Sequence, residues 1–191
     1  SDPARVAACI ADLERADIIF ANMLFLEEHI RAVLPTLAAR RDQCDALVCA
    51  MSAGEVMRQT RMGAFRMDGT AKGPMALLKK LRGGKGGQKG APSGKDGGAK
   101  QLAMLRRLPR LLSFIPGTAQ EVRTYLLTLS YWLSGSSENI ADLVRMLVNR
   151  YADGPRRALR GTLLAKPPRE YPENGIYHPR LPSKMTESLD E

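Results

Sequence analysis

The sequence contains few of the residues on which catalytic and metal sites usually depend. Its 191 residues include 2 histidines, 3 cysteines and 1 tryptophan, and aromatic residues make up 5% of the chain. Two histidines give no basis for a Ser-His-acid set, so we predict no catalytic residue and no metal ligand in this chain. The odd, sparse cysteines form no disulfide framework and suit a reducing cytoplasm.

Long apolar runs are also absent. No stretch approaches the roughly 20 residues needed to cross a bilayer, and the charged, amphipathic start does not have the pattern of a signal peptide. The first residue is Ser1 and not an initiator methionine. We therefore expect a processed or excised piece of a longer protein.

The glycine-rich stretch 83–100 contains no nucleotide-binding motif. It holds eight glycines and four lysines, but the P-loop pattern G-x-x-x-x-G-K-[ST] does not occur in it, and no G-x-G-x-x-G follows a predicted strand. Its composition cannot support a hydrophobic core. It is therefore predicted to be a surface insertion or linker.

Positive charge is concentrated in one segment. The net charge is +9, and residues 71–118 hold 11 basic residues and 1 acidic residue, whereas residues 1–70 hold 8 and 10. This charge lacks interleaved aromatic residues and a known motif, so nucleic-acid binding is not predicted. Contact with an anionic membrane surface or an acidic partner protein is the alternative that it favours.

The first 70 residues predict an α/β unit, because short apolar runs alternate with amphipathic helical patterns. The predicted elements are a helix that starts at Asp2-Pro3, strands over Asp17–Asn22 and Asp45–Ala50, and a helix over residues 24–40. A capping box at Ser52 and Glu55 predicts a further helix of about three turns. The pattern is that of a partial parallel sheet with flanking helices, an incomplete flavodoxin-like or Rossmann-like half that needs further strands from upstream.

The second half predicts helices and then an extended arm. Helical periodicity covers approximately 102–115, 119–133 and 138–152, with Gly135 as a stop signal and Ser136 or Ser137 as the next cap. The predicted organisation is an α/β domain (1–70), a basic Gly/Lys-rich insertion (71–100), a helical region (101–154) and an arm leading to the next domain (155–191).

Candidate binding residues lie in the second half. Arg106, Arg107 and Arg110 form one side of a basic amphipathic helix; a solvated face is the ordinary interpretation, and bidentate binding of carboxylates is an alternative. Trp132 could stack on a flat ligand, although it and the nearby tyrosines Tyr125 and Tyr131 are also typical core residues. His178, in the turn-rich run Gly175–Pro179, either packs in a loop or contributes to a ligand site.

Three runs carry a resemblance to a known family: MSAGEVMRQTRMGAFRM, FIPGTAQEVRTYLLTLSYWLSGSSENIADLVRML and YPENGIYHPRLP. They resemble the large subunits of magnesium chelatases and cobaltochelatases, and within these the N-terminal portion of the porphyrin-handling H subunit. The Gly/Lys-rich stretch departs from the family pattern and is interpreted as an insertion.

The resemblance implies a function for the whole subunit. It implies ATP-dependent insertion of Mg²⁺ into protoporphyrin IX for chlorophyll or bacteriochlorophyll, with ATP bound by two AAA+ partner subunits and not by this chain. The fragment itself would not be catalytic, and the remainder of the same subunit would lie downstream. The implied location is the cytoplasm, peripheral to the photosynthetic membrane. A cobaltochelatase subunit and a non-catalytic docking module are the alternatives.

Overall fold

The computed structural model describes residues 2–67, 118–169, 175–181 and 185–186. Helices in these ranges are α1 (Pro3–Arg15), α2 (Glu27–Arg40), α3 (Gly54–Met57), α4 (Thr118–Ser134) and α5 (Ser137–Tyr151), followed by a 3-10 helix over Gly154–Leu159. Strands are β1 (Ile18–Asn22), β2 (Ala46–Ala50), β3 (Arg61–Met62), β4 (Phe65–Arg66), β5 (Ile176–Tyr177) and β6 (Met185–Thr186).

The main sheet has the strand order β1-β2-β3-β4. All of β1 pairs in parallel with β2, from Ile18 opposite Ala46 onward, and β3 and β4 continue the sheet as an antiparallel hairpin. Gly63 opens the two-residue loop of this hairpin with φ +56°, a conformation that favours glycine. The predicted partial parallel sheet with flanking helices is confirmed, and the hairpin is an addition that the sequence analysis did not include.

Helices cover both faces of the sheet. All five residues of β2 are buried, and because side chains alternate along a strand, Ala46 and Val48 face α4 and α5 whereas Leu47 and Cys49 face α2. The arrangement is a three-layer α/β unit. Helices α1 and α2 form one outer layer, and α4 and α5, which come much later in the chain, form the other.

The predicted caps at the starts of α1 and α5 are confirmed. Asp2 accepts a hydrogen bond from the amide of Ala4 (3.0 Å) at the start of α1, and Ser136 accepts one from Asn139 (3.2 Å) at the start of α5. Both bonds satisfy amides that the first turn of a helix leaves without a partner. Gly135, between α4 and α5, has φ +63°. Pro35 lies inside α2 without ending it.

The predicted capping box at Ser52 is wrong. The Ser52 hydroxyl accepts from the amide of Leu24 (3.1 Å) and donates to the carbonyl of Ala50 (2.9 Å). It therefore joins the loops that follow β1 and β2. The helix after it, α3, has four residues and an N-cap at Ala53 without a side-chain hydrogen bond.

Residues 164–169 contain no helix or strand and are attached to α4 and α5 by hydrogen bonds. Within the part of the chain that the structure describes, no helix is long and apolar enough to cross a membrane.

Candidate functional site

A groove of about 380 Å³ lies between β1 and α5. Ile18 and Phe20 of β1 form one wall, and Trp132 near the end of α4 lies beside them. The opposite wall is a stripe of α5 with helical i, i+3, i+4 spacing, formed by Ile140, Leu143, Val144, Leu147 and Val148. The groove is open, because Val144 remains 51% exposed, and its lining is suited to an apolar side chain or ring.

Trp132 lies where strand and helix meet. Its ring contacts Phe20 edge-on, with centroids 5.4 Å apart and planes at 65°. This geometry is favourable for two aromatic rings. Trp132 is half-buried and packs against the core cluster, so it serves as core and as groove wall at once.

The charged groups in the groove are already paired. Asp17 forms an ion pair with Arg156 of the 3-10 helix. Asp45 accepts a hydrogen bond from the backbone amide of Asp153 (2.8 Å). Two carboxylates and one guanidinium therefore contribute a net charge of −1 here, which does not favour an anionic ligand group.

Of the other predicted site residues, His178 is the one that lies in the described part of the chain. Arg106, Arg107 and Arg110 lie outside the described residues. His178 is exposed in the turn after β5, where its Nδ1 accepts a hydrogen bond from the amide of Arg180 (3.3 Å). It is not among the residues that line the groove.

The tyrosines are core residues, as expected. Tyr125 is 5% exposed and donates a hydrogen bond from its hydroxyl to the carbonyl of Cys49 (3.2 Å). Tyr131 is 3% exposed and donates to the carbonyl of Lys166. Burial raises the pKa of both phenols, so both remain neutral donors at physiological pH.

The two loops at the carboxyl ends of β1 and β2 are joined by their backbones. Met23 donates to the carbonyl of Met51 (3.2 Å), and Ala53 donates to that of Leu24 (2.9 Å). Both methionines have positive φ, 59° and 45°, a conformation that is unfavourable for residues with a Cβ. Carboxyl ends of parallel strands are common positions for binding sites, but the described residues contain no group of three or more potential metal ligands there or elsewhere.

Comparison with known families shows to which family this chain belongs. Residues 1–126 match the family described as "Domain of unknown function (DUF3479)". The chain belongs to this family.

This DUF3479 chain is similar to large subunits of magnesium chelatases from bacteria and rice. It is 46% identical to the H subunit of magnesium chelatase from Rhodobacter capsulatus over 97% of the chain, and 46% identical to that of Cereibacter sphaeroides over 96%. It is 31% identical to the chloroplastic ChlH subunit of magnesium chelatase from Oryza sativa subsp. indica over 91% of the chain. The predicted resemblance to the N-terminal portion of this large subunit is confirmed. The chain spans 15% of the length of the two bacterial relatives and 12% of the rice relative.

One residue of the DUF3479 chain that the sequence analysis did not single out is Asn139, within the run SSENI. Its side chain is 1% exposed. The amide nitrogen donates to the carbonyl of Arg169 (2.9 Å), and the amide oxygen accepts from the amide of the same residue (2.8 Å). Asn139 thus pairs with the main chain of Arg169 as a neighbouring strand would. Its partner lies 30 residues further along the chain, so no local sequence pattern indicated this contact.

A second depression of about 490 Å³ adjoins the Asn139 contact. Three cationic side chains, Arg145, Lys166 and Arg169, line it together with Glu138 and Asp142. Arg145 is paired with Asp142 at 2.8 Å. Several charged side chains line this depression, in contrast to the apolar groove, although both border α5.

Proposed function

We propose that this chain is the N-terminal part of the porphyrin-binding H subunit of a magnesium chelatase, which inserts Mg²⁺ into protoporphyrin IX in an ATP-dependent reaction. One observation carries the proposal: the chain is 46% identical, over 97% of its length, to an H subunit of magnesium chelatase. The relatives described above are named for magnesium chelatase, so the cobaltochelatase alternative is not favoured.

The proposal assigns a role to each component of the complex. Protoporphyrin IX and Mg²⁺ are substrates of the complete polypeptide, and ATP is bound by two AAA+ partner subunits. The remainder of the H polypeptide is the nearest partner of this chain. The complex acts in the cytoplasm, peripheral to the photosynthetic membrane.

For this chain we propose a supporting role in porphyrin binding. Trp132 offers a ring at an apolar groove, which suits the flat face of a tetrapyrrole. The paired charges of the groove do not suit the two propionates, so these would be bound by Arg106, Arg107 and Arg110, the cations that bind carboxylates best. His178 is the remaining candidate for a contact at the macrocycle.

A docking function is the second candidate, and a separate observation favours it. Met23, Phe25 and Leu26 follow β1 and are 54%, 58% and 62% exposed. Neighbouring large apolar side chains at this exposure are typical of a protein interaction surface. The partner subunits and an anionic membrane surface are the candidate binding partners.

One reconstitution experiment tests both candidates. The complete polypeptide that contains this chain is combined with the two partner subunits, ATP, Mg²⁺ and protoporphyrin IX, and formation of the magnesium porphyrin is followed by fluorescence. We expect Trp132→Ala to weaken porphyrin binding by up to about tenfold, the loss of one aromatic contact. Phe25→Ser is the matched variant: it should leave porphyrin affinity unchanged and raise the concentration of partner subunits needed for half-maximal rate.

The outcomes are distinct. No magnesium insertion by an otherwise folded, complete complex, together with cobalt insertion into a corrin ring, would disprove the magnesium-chelatase assignment. Unchanged porphyrin affinity in Trp132→Ala would remove the groove from the binding site and leave only the docking role.

A further inference from the structure

The outer edge of β1 has no partner strand among the described residues. β1 is the first strand in the order β1-β2-β3-β4, and its pairing is with β2 alone in that part of the chain. Its sequence, Ile-Ile-Phe-Ala-Asn, contains no lysine and no proline, the residues with which natural proteins commonly block an open edge. An apolar edge of this kind is suited to a further strand.

Apolar surface extends past this edge on both faces of the sheet. On one face lies the groove, with half-buried Ile18 and Phe20 as its β1 wall. On the other face lies α1, none of whose residues is buried, although Val6, Ile10 and Leu13 recur at helical spacing. A strand added beside β1 would project alternate side chains toward these two surfaces.

The handedness of the fold indicates which strand belongs there. The β1–α2–β2 unit is a parallel crossover whose helix covers the face of Leu47 and Cys49. α1 lies on that same face, because it packs against α2 and its Leu13 joins the same cluster. Crossovers between parallel strands are right-handed in about 98% of cases.

Two right-handed crossovers with helices on one face must advance across the sheet in the same direction. The crossover through α2 advances from β1 to β2. A parallel strand connected to β1 through α1 therefore lies on the opposite side of β1 from β2, which is the side of the open edge. The topology thus places the chain that precedes α1 on this side of the sheet.

We propose that the open edge of β1 receives a parallel strand from the segment that precedes α1 in the longer polypeptide. One set of its side chains packs beside the β1 wall of the groove, and the alternate set covers the exposed face of α1. Since both faces are then buried, the strand has a nearly continuous run of β-branched and aliphatic residues. This inference does not depend on the proposed function, because it rests on strand order and handedness alone.

Hydrogen–deuterium exchange of the longer polypeptide tests the proposal. Exchange in the intact polypeptide is compared with exchange in a variant from which the residues preceding Ser1 are deleted. In the intact protein we expect the amides of Ile18–Asn22 to exchange as slowly as those of β2. In the deleted protein the β1 amides that do not bond to β2 should exchange at least about tenfold faster. The amides of β2, which lies between β1 and β3 in the sheet, are the internal control and should not change.

Three results would overturn the proposal. The first is fast exchange of β1 in the intact protein. The second is protection that survives the deletion, which would assign the edge to another segment. The third is protection that depends on protein concentration, which would indicate a second copy. If the deletion also exposes β2, the fold has been lost, and an electron cryomicroscopy map of the intact polypeptide decides instead. The strand beside β1 either is parallel to it and comes from the segment that precedes α1, which supports the proposal, or it is not, which overturns it.

Discussion

On the α2 face of the sheet the buried side chains are aliphatic or thiol, whereas the buried cluster on the α4–α5 face contains four aromatic rings. The α2 face is filled by Ile19, Ile30, Val33, Leu37, Cys44, Leu47, Cys49 and Val56. The α4–α5 face contains Phe65, Tyr125, Tyr131 and Tyr151 among its buried members. The first face is built from one continuous stretch of chain, and the second depends on helices that follow the sheet by more than fifty residues.

The difference extends to hydrogen bonding. Each tyrosine of the α4–α5 face has a partner for its hydroxyl: Tyr125 the carbonyl of Cys49, Tyr131 that of Lys166, and Tyr151 the carboxylate of Glu121. An aliphatic cluster requires only a suitable total volume, but a buried hydroxyl requires a partner at a particular position. The distant helices are therefore held in a defined placement, and the local face is more tolerant of exchange among aliphatic residues.

The largest effect that would test this comparison is expected from Phe65→Ala. Phe65 is 1% exposed and its ring centroid lies 5.7 Å from that of Tyr125. Its loss should lower the free energy of unfolding by about 3–5 kcal/mol, and Leu37→Ala on the α2 face by about 2–5 kcal/mol. Denaturant unfolding measures both, with the 58% exposed Phe25 as the control in Phe25→Ala. A smaller loss for Phe65→Ala than for Leu37→Ala would contradict the importance given to the aromatic face.

A medium effect is expected from Asn139→Ala. The change leaves both main-chain groups of Arg169 without their partner, which should cost about 1–3 kcal/mol. Trypsin should also cleave after Arg169 several times faster, because the segment is released from α5. Ser137→Ala, at an exposed neighbouring position, is the control and should change neither measurement. Unchanged proteolysis in Asn139→Ala would show that other contacts hold the arm.

The smallest effect is the change of stability with pH, to which a buried thiol contributes on the α2 face and buried phenols contribute on the α4–α5 face. Burial raises the pKa of the Cys49 thiol to about 12 from 9.0, and it raises the pKa of Tyr125 and Tyr151 above the ordinary 10.0. A raised pKa means that the unfolded state loses its proton first, so stability is complete below pH 9 and falls as pH rises. At pH 10 the thiol alone should reduce it by about 1 kcal/mol.

Cys49→Ala provides the check on this assignment. In unfolding experiments between pH 8 and 11 the variant should lose about 1 kcal/mol less than the parent protein between pH 9 and 10. It should keep the loss that comes from Cys44, whose thiol pKa burial also raises, and from the phenols. If the loss between pH 9 and 10 is as large in the variant as in the parent protein, the Cys49 thiol is not one of its sources.

The elements of the local face were predictable from sequence, and the reason is visible in their contacts. The strands at Ile18–Asn22 and Ala46–Ala50 and the helix at Glu27–Arg40 follow from periodicity and short-range caps. Ser52 was not predictable, because its partner Leu24 lies 28 residues away and the local pattern favoured a capping box instead. The β3–β4 hairpin is too short for strand periodicity, and only Gly63 marked it.

The candidate site was predictable only as separate residues. Trp132 was a candidate from its residue type, but its contact with Phe20 joins positions more than a hundred residues apart, and no local pattern encodes that contact. The stripe of α5 was recognisable as helical, yet the sequence does not state whether such a stripe is fully covered. In the structure Val144 within it remains half exposed, which is what leaves a groove.

The contact between Asn139 and Arg169 has a consequence for how the chain can vary. The amide binds residue 169 through its main chain alone, and every residue except proline offers the same N–H and C=O pair. Position 169 is therefore free to change in a lineage without loosening the attachment, whereas position 139 is not. At this point the arm is attached through the helical residue alone, so it can acquire new surface chemistry at position 169 while its anchor point stays the same.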